Sequence, residues 1–147
     1  MLDPSLIFSL AGKLAMLGWL ALIVALFLRP ARAYAFPAAQ FVIPAILAAG
    51  YVLLIWQGRA GFETGGFGSI EAVRALFAND AALTAGWLHY LAFDLFVGAW
   101  ISRDAAGRGI SPLIVLPSLP LTFLFGPAGL LLYLVARAAL PSKEIAQ

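Results

Sequence analysis

The stretch Trp87-Leu-His-Tyr-Leu-Ala-Phe-Asp-Leu-Phe-Val-Gly-Ala-Trp100 places the only histidine and a carboxylate inside an otherwise apolar span. In hydrocarbon a carboxylate costs roughly 2.5 kcal/mol or more at a helix centre, so Asp94 needs a partner or a cavity. This segment is therefore read as the heart of a site held within a membrane.

The rest of the chain agrees with that setting. Of 147 residues, 63% are hydrophobic and only 11% are charged, and the mean hydropathy is +0.98. A soluble domain of this size has no surface on which to hide such a composition, which marks an integral membrane protein. Cutting at the charges leaves four apolar segments, Ser5 to Leu28, Pro37 to Gln57, Ala81 to Ser102 and Pro112 to Ala136. Each approaches or exceeds the roughly 20 residues needed to cross a hydrocarbon core. They predict one all-α domain over 1–147, an integral membrane four-helix bundle with helices near 5–28, 37–57, 81–102 and 112–139. Ala31-Arg-Ala33 and Ala33-Tyr-Ala35 resemble processing sites, but Asp3 and the lack of an early positive charge favour a retained first span.

The short turns Arg29-Pro30 to Arg32 and Arg103 to Gly109 each hold two arginines, and Arg137 and Lys143 follow the fourth segment. The positive-inside rule then puts both short turns in the cytoplasm and, with four crossings, both termini outside, in a membrane expected to be a bacterial inner membrane. In the long link, Ser69 is placed to cap a short interfacial helix between helices 2 and 3, with Ile70, Val73, Leu76 and Phe77 on one face. Gly61 to Gly68 looks superficially like a phosphate-cradling loop but lacks the following Lys and Ser/Thr.

Zero cysteines exclude disulfides, thiolate catalysis and iron–sulfur ligation. One histidine excludes bis-histidine haem and a multi-histidine metal centre within one chain, so no cofactor and no metal is expected. The net charge of +2 is spread over loops and helix ends, which points to membrane lipid rather than nucleic acid as the partner.

At about 100° per residue, His89, Phe93, Phe96, Trp100 and Arg103 form one stripe of the third helix, and Asp94 shares a neighbouring face with Trp87, Tyr90, Gly98 and Ile101. His89 and Asp94 do not stack; they border one cavity from two sides or pair with different helices. The candidate cations for Asp94 are Lys13 and Arg137. An ion pair is the structural reading, and a carboxyl acting as an acid is the functional one. For His89 the alternatives are a buried ring bonded to a neighbouring helix and a base or proton shuttle. The tryptophans Trp19, Trp56, Trp87 and Trp100 read as interface anchors or as walls of a slot for a long apolar ligand. In the fourth segment Pro127 should free a carbonyl near Phe123, and Gly126, Gly129 and Gly12 or Gly18 would let helices approach closely.

Trp87-x-His89-x-Leu91-Ala92-x-Asp94-Leu95-Phe96, Asp104 after it, and Leu121-Thr-Phe-x-x-Gly126-Pro127-x-Gly129-Leu-Leu-Leu-Tyr133 resemble the small membrane proteins related to plant neoxanthin synthase, which have bacterial relatives. The resemblance is strongest over Gly86 to Tyr133. It implies action on xanthophylls: opening a violaxanthin epoxide to the allene of neoxanthin, an isomerisation without net redox change. An acid must protonate the epoxide oxygen and a base must take a proton from the polyene. On that resemblance Asp94 and His89 are the catalytic pair. Trp87, Phe93, Trp100 and Tyr133 are the substrate contacts, and Lys13, Arg103, Asp104 and Arg137 serve as charge partners. Three function classes follow: a carotenoid or isoprenoid isomerase, a non-catalytic pigment or lipid binder or assembly subunit of a homo-oligomer or larger membrane complex, and, least favoured, a small transporter.

Overall fold

The computed structural model describes residues 2–140, and all its regular structure is helical. Lys143 lies outside the described residues. Helix α1 (Pro4–Phe27) starts on Asp3, whose carboxylate accepts from the Ser5 N–H at 2.9 Å and from the Ser5 hydroxyl at 2.7 Å, with Pro4 in the first turn where no donor is needed. These bonds, the hydroxyl's foremost, hold the Asp3 carboxyl below the usual carboxylate range. Its other end is closed by Arg32, whose guanidinium donates to the Ala25 and Leu26 carbonyls at 2.9 and 3.0 Å.

Helix α2 (Arg29–Gln57) begins eight residues before the expected Pro37: Pro30 sits in its first turn, where no donor is needed, and Pro37 lies inside the helix just ahead of a change of pitch. Between Pro37 and Pro44 it widens into a π segment, Ala38–Val42. Gln40 in that segment accepts from Arg103 at 2.7 Å. The short helix α3 (Ile70–Leu76) is capped by Ser69, which accepts from the Ala72 N–H. Helix α4 (Asp80–Gly107) is capped by Asn79. Helices α1, α2 and α4 are long and apolar enough to cross a membrane.

The fourth apolar segment does not make the single helix expected over 112–139. It breaks into α5 (Pro112–Phe125) and α6 (Pro127–Ala139). Gly126 takes φ +21°, outside the helical basin, and Pro127 has no N–H with which to continue the ladder. At about 1.5 Å per residue each piece spans roughly 20 Å, short of a 30 Å core. The two pieces fold back on one another: a side chain on Gly129 would lie 2.6 Å from the Ser118 carbonyl and overlap Thr122. An unbroken helix would hold Gly129 about 16 Å from Ser118.

Contacts with α4 give the depth of this hairpin. Its outgoing arm reaches Tyr90, whose hydroxyl donates to the Phe123 carbonyl. Its tip, Gly126, lies against Asp94, and its returning arm brings Tyr133 and Arg137 to Asp104. The hairpin therefore goes in from the Gly107 end of α4, turns at mid-length and comes back to the same end. The core divides accordingly. One cluster (Trp19, Leu22, Leu95, Ile101, Val115, Leu119 and Tyr133 among its members) includes hairpin residues. The other, with Ala11, Ala15, Leu47, Leu54, Leu88 and Leu91, draws its buried residues from α1, α2 and α4 alone.

This geometry moves one terminus. Leu2 exchanges two backbone-to-amide bonds with Gln57, both 2.8 Å, at the Asp80 end of α4, whereas Arg137 lies at the Asp104 end. The first and last described residues thus lie at opposite ends, not at one end as four crossings would require.

Candidate functional site

Halfway along α4, the hairpin tip brings the Phe123 carbonyl to Tyr90 and Gly126 to Asp94. Pro127 leaves the Phe123 carbonyl without its helical donor, and the Tyr90 hydroxyl takes that place. Gly126 sits so close to Asp94 that a side chain there would meet Oδ1 at 2.6 Å and Oδ2 at 3.0 Å. Tyr90 also faces the Asp94 carboxylate. Asp94 Oδ2 is buried without a hydrogen-bond partner. On the α1 side the Trp19 indole packs edge-on to Phe123 at 5.8 Å and covers Gly98. Trp19 is only 3% exposed, and its Nε1 has no acceptor. Asp94 Oδ2, the Trp19 N–H and the Ser118 hydroxyl are thus left open in the interior, each at a cost of about 1–3 kcal/mol unless something fills it.

The predicted residues separate into three places. Asp94 is at the tip. His89 is on the opposite flank of α4 and exposed, its ring 4.5 Å from Phe93 and 6.2 Å from Tyr51 of α2. A small cavity of about 170 Å³ runs beneath it, bounded also by Phe67 and Phe77. Of the predicted stripe, His89, Phe93, Phe96 and Arg103 are exposed while Trp100 is half-buried against Tyr133; of Asp94's predicted face, Tyr90 and Asp94 meet the hairpin, whereas Trp87 and Gly98 pack against Phe8 and Trp19 of α1.

Asp104 forms the third place. Its Oδ2 accepts from the Tyr133 hydroxyl at 2.6 Å and from Arg137 Nε at 2.8 Å, and pairs with Arg108 at 3.1 Å. Arg137 is therefore committed to Asp104 rather than to Asp94. Tyr133, 1% exposed, packs edge-on to Trp100 at 5.7 Å, which makes these two a buttress of the hairpin's returning arm. Lys13 is exposed on α1, and among the described residues it forms no ion pair. Arg103 binds Gln40. Among the described residues no group of three histidine, cysteine or acidic side chains is placed to hold a metal ion.

Trp87 joins the tip to the outer half of the molecule. It stacks on Phe8 at 5.1 Å and lies 5.1 Å from Tyr90. Tyr90 was not singled out as a site residue by the sequence, and Trp19 only as one of four tryptophans read as anchors or slot walls; the carbonyl that Pro127 must free called for a donor without saying which.

Chemically, the tip sets a carboxyl with one open oxygen beside a phenol, against Phe123 and Gly126. A family model described as ABA DEFICIENT 4-like matches residues 6–133, which takes in all three long helices, the hairpin tip and Tyr133. Neither the curated proteins nor the solved structures give a significant match. The chain belongs to the ABA DEFICIENT 4-like family.

Proposed function

We propose that this protein acts on a carotenoid or related isoprenoid within the bilayer, binding its oxygen-bearing end at the hairpin tip and rearranging it by proton transfer without net redox change. The observation that carries this reading is the unpartnered Asp94 Oδ2, held out of solvent where the hairpin tip and Tyr90 meet the carboxyl. Asp94 is assigned the acid that protonates the substrate oxygen. Tyr90, which faces it, is the donor nearest the carboxylate this leaves, and that carboxylate takes back the proton the polyene loses, so that no net proton is consumed. His89, on the other flank, serves as a base only for a substrate wrapped around α4, so its loss should matter less. The length and apolarity of α1, α2 and α4 support a membrane setting for this reading. The end that holds Arg29, Arg32, Arg103, Arg108 and Arg137 is assigned to the cytoplasm, and the end with Asp3, Glu63, Glu71 and Asp80 to the other side.

The test is extraction of pigments and lipids from purified wild type, Asp94→Asn and His89→Ala made in the native host, read by mass spectrometry. A polyene or isoprenoid enriched with the wild type and replaced by its precursor in Asp94→Asn supports an isomerase. Enrichment of the same compound in all three supports a pigment-binding or assembly subunit. Bulk phospholipid alone in every sample overturns the carotenoid reading.

A further inference from the structure

The hairpin covers only one half of the seam between α1 and α4. Beyond its tip, toward the Asp80 end, the seam is open. Two adjoining cavities of about 700 and 570 Å³ follow it, sharing Phe8 and Trp87 as walls. The deeper one ends at Lys13, Met16 and Leu17, a turn before Trp19. Gly12 forms its floor: a side chain there would meet nothing within 4 Å.

Lys13 is the second, independent observation. It stands near the middle of a 24-residue apolar helix, in the wall of the groove, and among the described residues no carboxylate pairs with it. An ammonium at that depth is costly unless an acceptor meets it or the side chain reaches water. The aromatic faces of Phe8 and Trp87, stacked at 5.1 Å, provide the flat apolar wall that an unsaturated chain packs on.

We infer that this α1–α4 groove seats a bilayer-dissolved amphiphile, its unsaturated chain lying along Phe8 and Trp87 and its terminal acceptor oxygen meeting the Lys13 ammonium at the deep end, the end nearer the hairpin tip. The inference rests on the reading that the tip handles an apolar, oxygen-bearing molecule, and it adds the seat and the residue that grips it. The ligand slides in sideways from the bilayer, because the missing half of a fourth helix leaves that side uncovered. Gly12 sets the width of the groove.

The experiment uses the full chain in phospholipid nanodiscs and a conjugated tetraene fatty acid as probe, read by energy transfer from tryptophan to the tetraene. The wild type should show saturable transfer. Lys13→Met removes the grip and should weaken binding about tenfold, the loss expected for one charge-assisted contact, and Gly12→Leu fills the groove and should weaken it at least as much by exclusion. Leu53→Phe, on an exposed stretch of α2 away from the groove, should bind as the wild type does. The corresponding tetraene hydrocarbon, without an oxygen, should not distinguish Lys13→Met from wild type. Non-saturable transfer, or equal affinity in wild type, Lys13→Met and Gly12→Leu with unchanged helix content, overturns the inference. If those variants bind normally while Asp94→Asn still alters the extracted pigment, the groove is wrong and the proposed function stands.

Discussion

At the residue scale, the site turns on one proline and what replaces its missing donor. Because the Tyr90 hydroxyl fills the place of the absent Pro127 N–H at the Phe123 carbonyl, Tyr90→Phe strands a buried acceptor and should lower stability by about 1–2 kcal/mol in thermal melts in mild detergent. If a smaller cost appears in a Pro127→Ala background, where a backbone donor is restored, the pairing is verified by coupling. Asp94→Asn keeps the shape of the side chain but replaces an acid by an amide, so it should retain near-wild-type melting while abolishing conversion of the bound compound. A collapse of folding in that variant would make Asp94 a pin for the hairpin instead. The freed carbonyl near Phe123 was legible in the sequence, since it follows from proline chemistry alone. Its partner was not, because which side chain of a neighbouring helix reaches it depends on the depth to which the hairpin enters.

At the element scale, the three long helices were readable to within a few residues at most ends, because length and apolarity suffice for such segments and Asp3, Asn79 and the arginine turns punctuate them. The exception is the start of α2, where the run of Arg29 to Phe36 looked like a turn yet continues the helix. The fourth segment was misread for a physical reason: hydropathy counts apolar residues and is blind to direction, so a hairpin of two short arms and one long helix score alike. What distinguishes them is the Gly126-Pro127 pair with Gly129, where the backbone both reverses and packs within contact distance of Ser118 and Thr122. Gly129→Ala should therefore cost about 2–3 kcal/mol through overpacking against backbone that has nowhere to move. Gly107→Ala, in open space at the end of α4, should be neutral or slightly stabilising. If both alanines melt alike, the arms are not packed as described.

At the scale of the whole molecule, the hairpin changes how the charges are counted. With four crossings, Arg137 sits opposite the two arginine turns and the positive-inside argument is nearly balanced. With three crossings and a hairpin, Arg137 joins Arg29, Arg32, Arg103 and Arg108 at one end, where Asp104 is the acidic residue held among them, while Asp3, Glu63, Glu71 and Asp80 share the other end with Arg59 and Arg74. The same geometry makes a fourfold-covered half and a threefold half, so the polar tip and the open groove are consequences of one turn rather than separate features. The chain's lack of cysteine makes this directly measurable, because any introduced thiol is unique. Single variants Leu2→Cys, Gly107→Cys and Ala139→Cys, treated with a membrane-impermeant maleimide in oriented cells and then in inverted vesicles, report the side of each position. Three crossings predict that Gly107 and Ala139 label together, from the cytoplasmic face, and Leu2 from the other. A fourth crossing would instead put Ala139 with Leu2 and leave Gly107 alone, in which case the hairpin, the half-open seam and the placement of Asp94 at a buried tip would all have to be given up at once.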